Sequence, residues 1–131
     1  MSLPSLKGHR ILIAEDEPIV ALDLAASLEV AGASTIVVHT LADAIAVARK
    51  EALSAAVVDM KLRDELASPL CALLQYRDVP FVVYTGYEIP EFKFNSLIIP
   101  KPAPQEKIVE KLSALSRPIE RSSTGTDAAP L

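Results

Sequence analysis

A chain of 131 residues, half of them hydrophobic and 23% charged, has the length and composition of one globular domain rather than a disordered or fibrous chain. A net charge of −4 with no basic cluster excludes the electrostatic footprint of a nucleic-acid binder. A single cysteine, Cys71, cannot close an internal disulfide, and the run Ile11–Ala14 is far too short to span a bilayer, so a cytoplasmic setting without a membrane partner is expected.

Residues 1–7 read as an N-terminal extension with no assigned function. Ile11–Ala14 is a short apolar strand that runs into Glu15-Asp16-Glu17. Pro18 suits the first turn of a helix, where its missing N–H is no loss. Val20, Leu24, Leu28 and Ala31 mark one face of that helix, and Gly32 ends it. Thr35–His39 is β-branched and strand-like. Thr40 is placed to cap a second helix whose inner face carries Leu41, Ala44, Ile45 and Ala48. Ala55–Asp59 is a third strand, Ser68–Arg77 a third helix around Leu70, Leu73 and Leu74, and Phe81–Thr85 a fourth strand. Cys71 falls inside the apolar run 70–74 and reads as a core residue. Residues 86–96, with Pro90, Asn95 and three aromatics, predict a stunted or irregular segment where a fourth helix would lie. Leu97–Ile99 is a fifth strand, and Ile108, Val109, Leu112 and Leu115 recur at helical spacing over Gln105–Leu115. The tail from Ser116 onward has little to bury.

This alternation predicts an α/β fold with a parallel sheet covered on both faces. In such sheets ligands bind beyond the carboxyl ends of the strands. Those ends carry Glu15 and Asp16, Asp59, Thr85 with Gly86, and Lys101 before Pro102. If the first, third, fourth and fifth strands are neighbours, three carboxylates, a hydroxyl and an ammonium share one pocket. Two carboxylates about 4 Å apart repel by roughly 4 kcal/mol at an effective dielectric near 20, so a cation must offset them. Lys101 brings one charge, and a hard divalent ion such as magnesium, which takes oxygen ligands, suits the rest. A carboxylate beside such an ion, a hydroxyl and an ammonium can act as a nucleophile toward phosphorus.

With ILIAEDE (Glu15, Asp16), VVDM (Asp59), YTG (Thr85) and IIPKP (Lys101) in this order and spacing, the chain resembles the receiver domain of two-component response regulators over residues 8–116. The resemblance implies a flavodoxin-like, doubly wound five-stranded parallel sheet in the order 2-1-3-4-5; residues 117–131, with little to bury, are expected to form a flexible tail. It implies Mg2+ held directly by Asp16 and Asp59, by Glu15 through water, and by the backbone carbonyl of Lys61. It implies Asp59 as the phosphoacceptor, with Thr85 and Lys101 touching the phosphoryl group. The donor partner would be a sensor histidine kinase or a histidine phosphotransfer protein, and a downstream protein would receive the signal. The SPLCALL segment with VPFVVYTGY further resembles a group of stand-alone receivers with a shortened fourth helix.

Several positions depart from that pattern. The proline four residues after the phosphoacceptor is Arg63 here, and the glycine eight residues after it is Ala67. The aromatic three residues before the lysine is Ile98, which removes the usual partner of a threonine switch, and Lys61 places an ammonium where it can alter the lifetime of the phosphate. These departures keep open a pseudo-receiver that binds partners without carrying phosphate. An aspartate-nucleophile phosphatase generally wants an acid at the position of Lys61, and a flavin-binding protein wants a hydroxyl-rich loop after the first strand, which is absent. His39 reads as structural and His9 as terminal; Tyr84, Tyr87, Phe92 and Phe94 read either as a partner surface or as cover for the core.

Overall fold

The computed structural model describes residues 4–86 and 93–119. Among them the helices are α1 (Pro18–Val30), α2 (Leu41–Lys50), α3 (Ser68–Tyr76) and α4 (Gln105–Leu115). Short aliphatic runs form β1 (Arg10–Ala14), β2 (Ser34–Val38), β3 (Ala55–Val58), β6 (Phe81–Thr85) and β7 (Leu97–Pro100), which build one parallel sheet in the order β2-β1-β3-β6-β7. That is the expected 2-1-3-4-5 arrangement, with β6 and β7 as its fourth and fifth strands. A small antiparallel hairpin, β4 (Lys61–Leu62) and β5 (Glu65–Leu66), lies between β3 and α3. No helix among the described residues is long and apolar enough to cross a membrane.

Strand alternation sorts the apolar side chains onto two faces. Ile11, Ile13, Val57, Val82 and Tyr84 meet Leu24 and Leu28 of α1 and Ile108 and Leu112 of α4. Leu12, Ala14, Val58 and Val83 meet Ala44 and Ala48 of α2 and Leu70 and Leu74 of α3. Each of these leucines, once buried, contributes roughly 1.5–3 kcal/mol, so the two packed layers hold the strand ends firmly in register. Cys71 lies in the second layer, and burial pushes its thiol up to about 12. It is an inert core residue.

Local signals explain the helix limits. Pro18 opens α1, and the Thr40 side chain accepts the Asp43 N–H at 3.1 Å to cap α2. After α1, Gly32 adopts φ +111°, and a Cβ there would lie 2.9 Å from the Lys7 backbone. Only glycine permits this close return of the chain. It lets Leu6 fold beneath the sheet, fully buried, with its N–H donating to the Ala31 carbonyl at 2.7 Å. At the other terminus Ser116 is buried and the Ile119 N–H donates to the Gly8 carbonyl at 2.9 Å. The start of the tail therefore packs against the Gly8 turn and His9, while the extension before residue 8 is tied by Leu6 to the end of α1. The expected irregular fourth-helix segment falls mostly on residues 87–92, outside the described residues; Lys93–Ser96 contain no helix.

Candidate functional site at the carboxyl ends of the strands

Strand register gathers the site. Ala14 of β1 pairs with Val58 of β3, and the Asp59 N–H extends that ladder by donating to the Ala14 carbonyl at 2.9 Å. Glu15 and Asp59 therefore leave the sheet at the same level. Thr85 of β6 pairs with Pro100 of β7, and the Lys101 N–H donates to the Thr85 carbonyl at 2.9 Å, which turns the lysine back over the rim. The Lys101–Pro102 peptide is cis.

The side chains meet there. Carboxylate oxygens of Glu15, Asp16 and Asp59 lie within 4.8 Å of one another. The Lys101 ammonium donates to Glu15 Oε1 at 2.7 Å and Asp59 Oδ2 at 3.0 Å, and sits 3.7 Å from Glu17 Oε1. Thr85 Oγ1 donates to Asp59 Oδ1 at 2.8 Å, an oxygen that also accepts the Lys61 N–H at 3.3 Å. All six residues singled out from the sequence thus come to one rim. Glu15 and Asp59 are buried and Asp16 is half-buried.

Burial pushes the Glu15 carboxyl above its ordinary value, and hydrogen bonds from Lys101 and the Glu17 N–H only partly offset that. Burial likewise disfavours the Lys101 charge, but its hydrogen bonds to Glu15 and Asp59 prevail and hold its pKa above the ordinary range. The lysine stays charged while the acids stay crowded. Three closely set carboxylates facing one bridging ammonium form a hard-oxygen donor set that can coordinate a divalent cation of the magnesium class.

Three further residues support the rim. The Arg63 N–H donates to Asp16 Oδ2 at 2.8 Å, so the β4–β5 hairpin turn, with Arg63 at φ 58°, steadies one acid. His39 donates its Nδ1–H to the Glu15 carbonyl at 2.8 Å, a structural role as expected. Tyr84 is buried, with its ring 5.6 Å beneath the Lys101 ammonium. Of the aromatics considered as partner surface or core cover, Tyr84 lies in one core layer and Phe94 packs on the other, while Tyr87 and Phe92 fall outside the described residues. Two cavities, of about 710 and 570 Å³, lie away from this rim, between α1 and α4 and under the opposite end of the sheet.

No protein-family model and no curated protein matches the chain. Solved structures do. A response regulator receiver domain protein (CheY-like) from Methanospirillum hungatei JF-1 superposes with a TM-score of 0.74 at 24% identity, covering 86% of this chain and 93% of that one. This is the receiver fold. The receiver domain of a sensor histidine kinase from Pseudomonas aeruginosa PAO1, with a magnesium ion coordinated in its active-site cleft, matches at a TM-score of 0.73 and 19% identity, over 82% of this chain and 97% of its own. A sensor protein from Polaromonas sp. JS666 matches at 0.71 and 26% identity, over 82% and 94%. The acid-rich rim described above lies at the carboxyl ends of the strands of this receiver fold, where open α/β sheets place their ligands.

Proposed function

We propose that this chain is a response-regulator receiver that accepts a phosphoryl group on Asp59, with Mg2+, from a histidine kinase or a histidine phosphotransfer protein. The observation that carries the reading is the meeting of Asp59 with Glu15, Asp16, Thr85 and Lys101 at one rim. Mg2+ would be held by Asp16 and Asp59, with Glu15 close by, and would neutralise charge on the transferred oxygens. The hairpin supports Lys61 as a further ligand. Because the Ala67 N–H donates to the Met60 carbonyl at 2.7 Å, the next pair, Lys61 and Leu66, turns its backbone polar groups away from the hairpin. The Lys61 N–H reaches Asp59, and its carbonyl lies along the same strand edge.

Both Asp59 oxygens already accept from donors that the transferred oxygens need. As an Asp59 oxygen forms its bond to phosphorus, the bond from phosphorus to the donor imidazole breaks, and the nitrogen keeps the electron pair. Thr85 and Lys101 then pass their hydrogen bonds from the carboxylate to the phosphoryl oxygens. This is catalysis by positioning and charge stabilisation, and it makes the chain a phosphoacceptor that assists its own modification, not a turnover enzyme. The signal would leave by binding a downstream protein or by passing phosphate on. Incubation with a small phosphodonor and Mg2+ should add one phosphoryl mass to the intact chain, and Asp59→Asn should abolish the addition. Persistent labelling of the Asp59→Asn chain would defeat this assignment, and an unlabelled parent chain that binds Mg2+ would favour the pseudo-receiver instead.

A further inference from the structure

Tyr84 and Thr85 are consecutive in β6, so their side chains leave the strand on opposite faces. Thr85 serves Asp59, and Tyr84 serves the other charged partner of the same site. Its ring lies 5.6 Å beneath the Lys101 ammonium, within the reach of a cation–π contact. Its hydroxyl accepts the Ala103 N–H at 3.3 Å and donates to the Ala103 carbonyl at 3.4 Å, two residues beyond that lysine. The ring is buried, so water does not compete for its face.

We infer that Tyr84 is a positioning residue for Lys101, holding the ammonium over the rim through its ring face. The inference rests on the phosphoacceptor reading above. A lysine has a long flexible stem whose freedom must be given up to place its charge. Hydrogen bonds to Glu15 and Asp59 fix the ammonium only in the resting state. During transfer it must swing from Asp59 to a phosphoryl oxygen. A ring face attracts a cation without demanding one direction, so the contact survives that short movement where a hydrogen bond would break.

Lys101 ε-methylene protons, assigned by their loss in Lys101→Arg, report the ring directly by NMR without any phosphodonor. They should be shifted upfield in the parent chain and in Tyr84→Phe, and should return to free-lysine positions in Tyr84→Leu. The phosphorylation rate constant at saturating small phosphodonor should fall about threefold to tenfold in Tyr84→Leu, the size of a partly desolvated cation–π contact. It should stay within about twofold of the parent in Tyr84→Phe, since the ring is kept. Free-lysine shifts in the parent chain would overturn the inference. So would an undiminished rate in a folded Tyr84→Leu chain, or a Tyr84→Phe rate as low as that of Tyr84→Leu. Should Tyr84→Leu fail to fold, the parent-chain shift decides alone. A parent chain that takes up no phosphoryl group defeats the phosphoacceptor reading, while the resonances still decide the contact between Tyr84 and Lys101.

Discussion

The two ends of the sheet bury polar groups by opposite rules. At the amino ends of the strands, His9 Nδ1 and Ser116 Oγ share a hydrogen bond of 2.7 Å. There Ser54 Oγ accepts the Arg10 N–H at 2.9 Å, and the Ser54 N–H donates to the Arg10 carbonyl at 2.8 Å. These groups are uncharged and matched with one another, as buried polar atoms usually are. At the carboxyl ends the carboxylates of Glu15, Asp16 and Asp59 crowd together, and one ammonium bridges two of them. A fold that only needed stability would not gather like charges there. The matched end holds the chain together, and the crowded end is a cluster that can coordinate a divalent cation.

The largest test of that contrast is Lys101→Met. It strips Glu15 and Asp59 of the ammonium that bridges them, and leaving buried charge unpaired costs about 3–5 kcal/mol. Loss of a donor to the transferred oxygens should also slow phosphorylation on the order of a hundredfold. Urea denaturation with and without Mg2+ reads the first effect, because a bound cation should restore part of the lost stability by linkage, and the rate of mass gain from a small phosphodonor reads the second. An unchanged denaturation midpoint would mean that the lysine does not hold the acids.

At the other end, Gly32→Ala should cost about 1–3 kcal/mol, since φ +111° and the Lys7 backbone at 2.9 Å both oppose a side chain. The rate of phosphorylation in the folded fraction should not move. A kinetic defect without a stability defect would break the separation between the two ends.

A smaller effect of opposite sign belongs to Asp16→Asn. Asparagine keeps an oxygen for the Arg63 N–H but removes one of three crowded charges. Without Mg2+ the variant should gain about 1 kcal/mol, the rim repulsion discounted for a half-exposed group. The melting temperature of the parent should rise on adding Mg2+, and that of the variant should rise less. A flat response in both chains would mean that the acids do not act as one site.

How much of this was legible follows from where each signal sits. The strands and helices declare themselves through apolar periodicity, and the rim residues through their position just after each apolar run, so Glu15, Asp16, Asp59, Thr85 and Lys101 could be named in advance. The β4–β5 hairpin could not. Lys61–Leu66 is polar and short, Leu62 is its one fully buried side chain, and Arg63 rather than glycine takes the positive φ. Leu6 and His9 were obscure for a different reason. Their partners, Ala31 and Ser116, are 25 and 107 residues away, and no local pattern encodes such a contact. Tyr84 reads as an ordinary core aromatic until the turn after β7 lays Lys101 across it.

The finest discrimination between the ends is their dependence on pH, because one buried group at each end, His9 and Glu15, acts with opposite sign. Burial holds the His9 imidazole below its ordinary value of 6.5. Between that lowered value and 6.5 the unfolded chain binds more protons, so stability rises with pH there and is lost as pH falls through the window. Glu15 is held above its ordinary value of 4.5, chiefly by burial. From 4.5 up to its raised value the folded chain binds more protons, so this contribution falls as pH rises. Measured as the difference from the parent, the denaturation midpoint should therefore show a Glu15 limb, in which Glu15→Gln gains as pH rises above 4.5, and a His9 limb, in which His9→Gln gains as pH falls below 6.5. Mg2+ should abolish only the Glu15 limb, since a cation at the rim favours the ionised carboxylate and does nothing for an imidazole at the far end. If Mg2+ moved both limbs alike, the two ends would be coupled through the sheet and the division of labour between them would not hold.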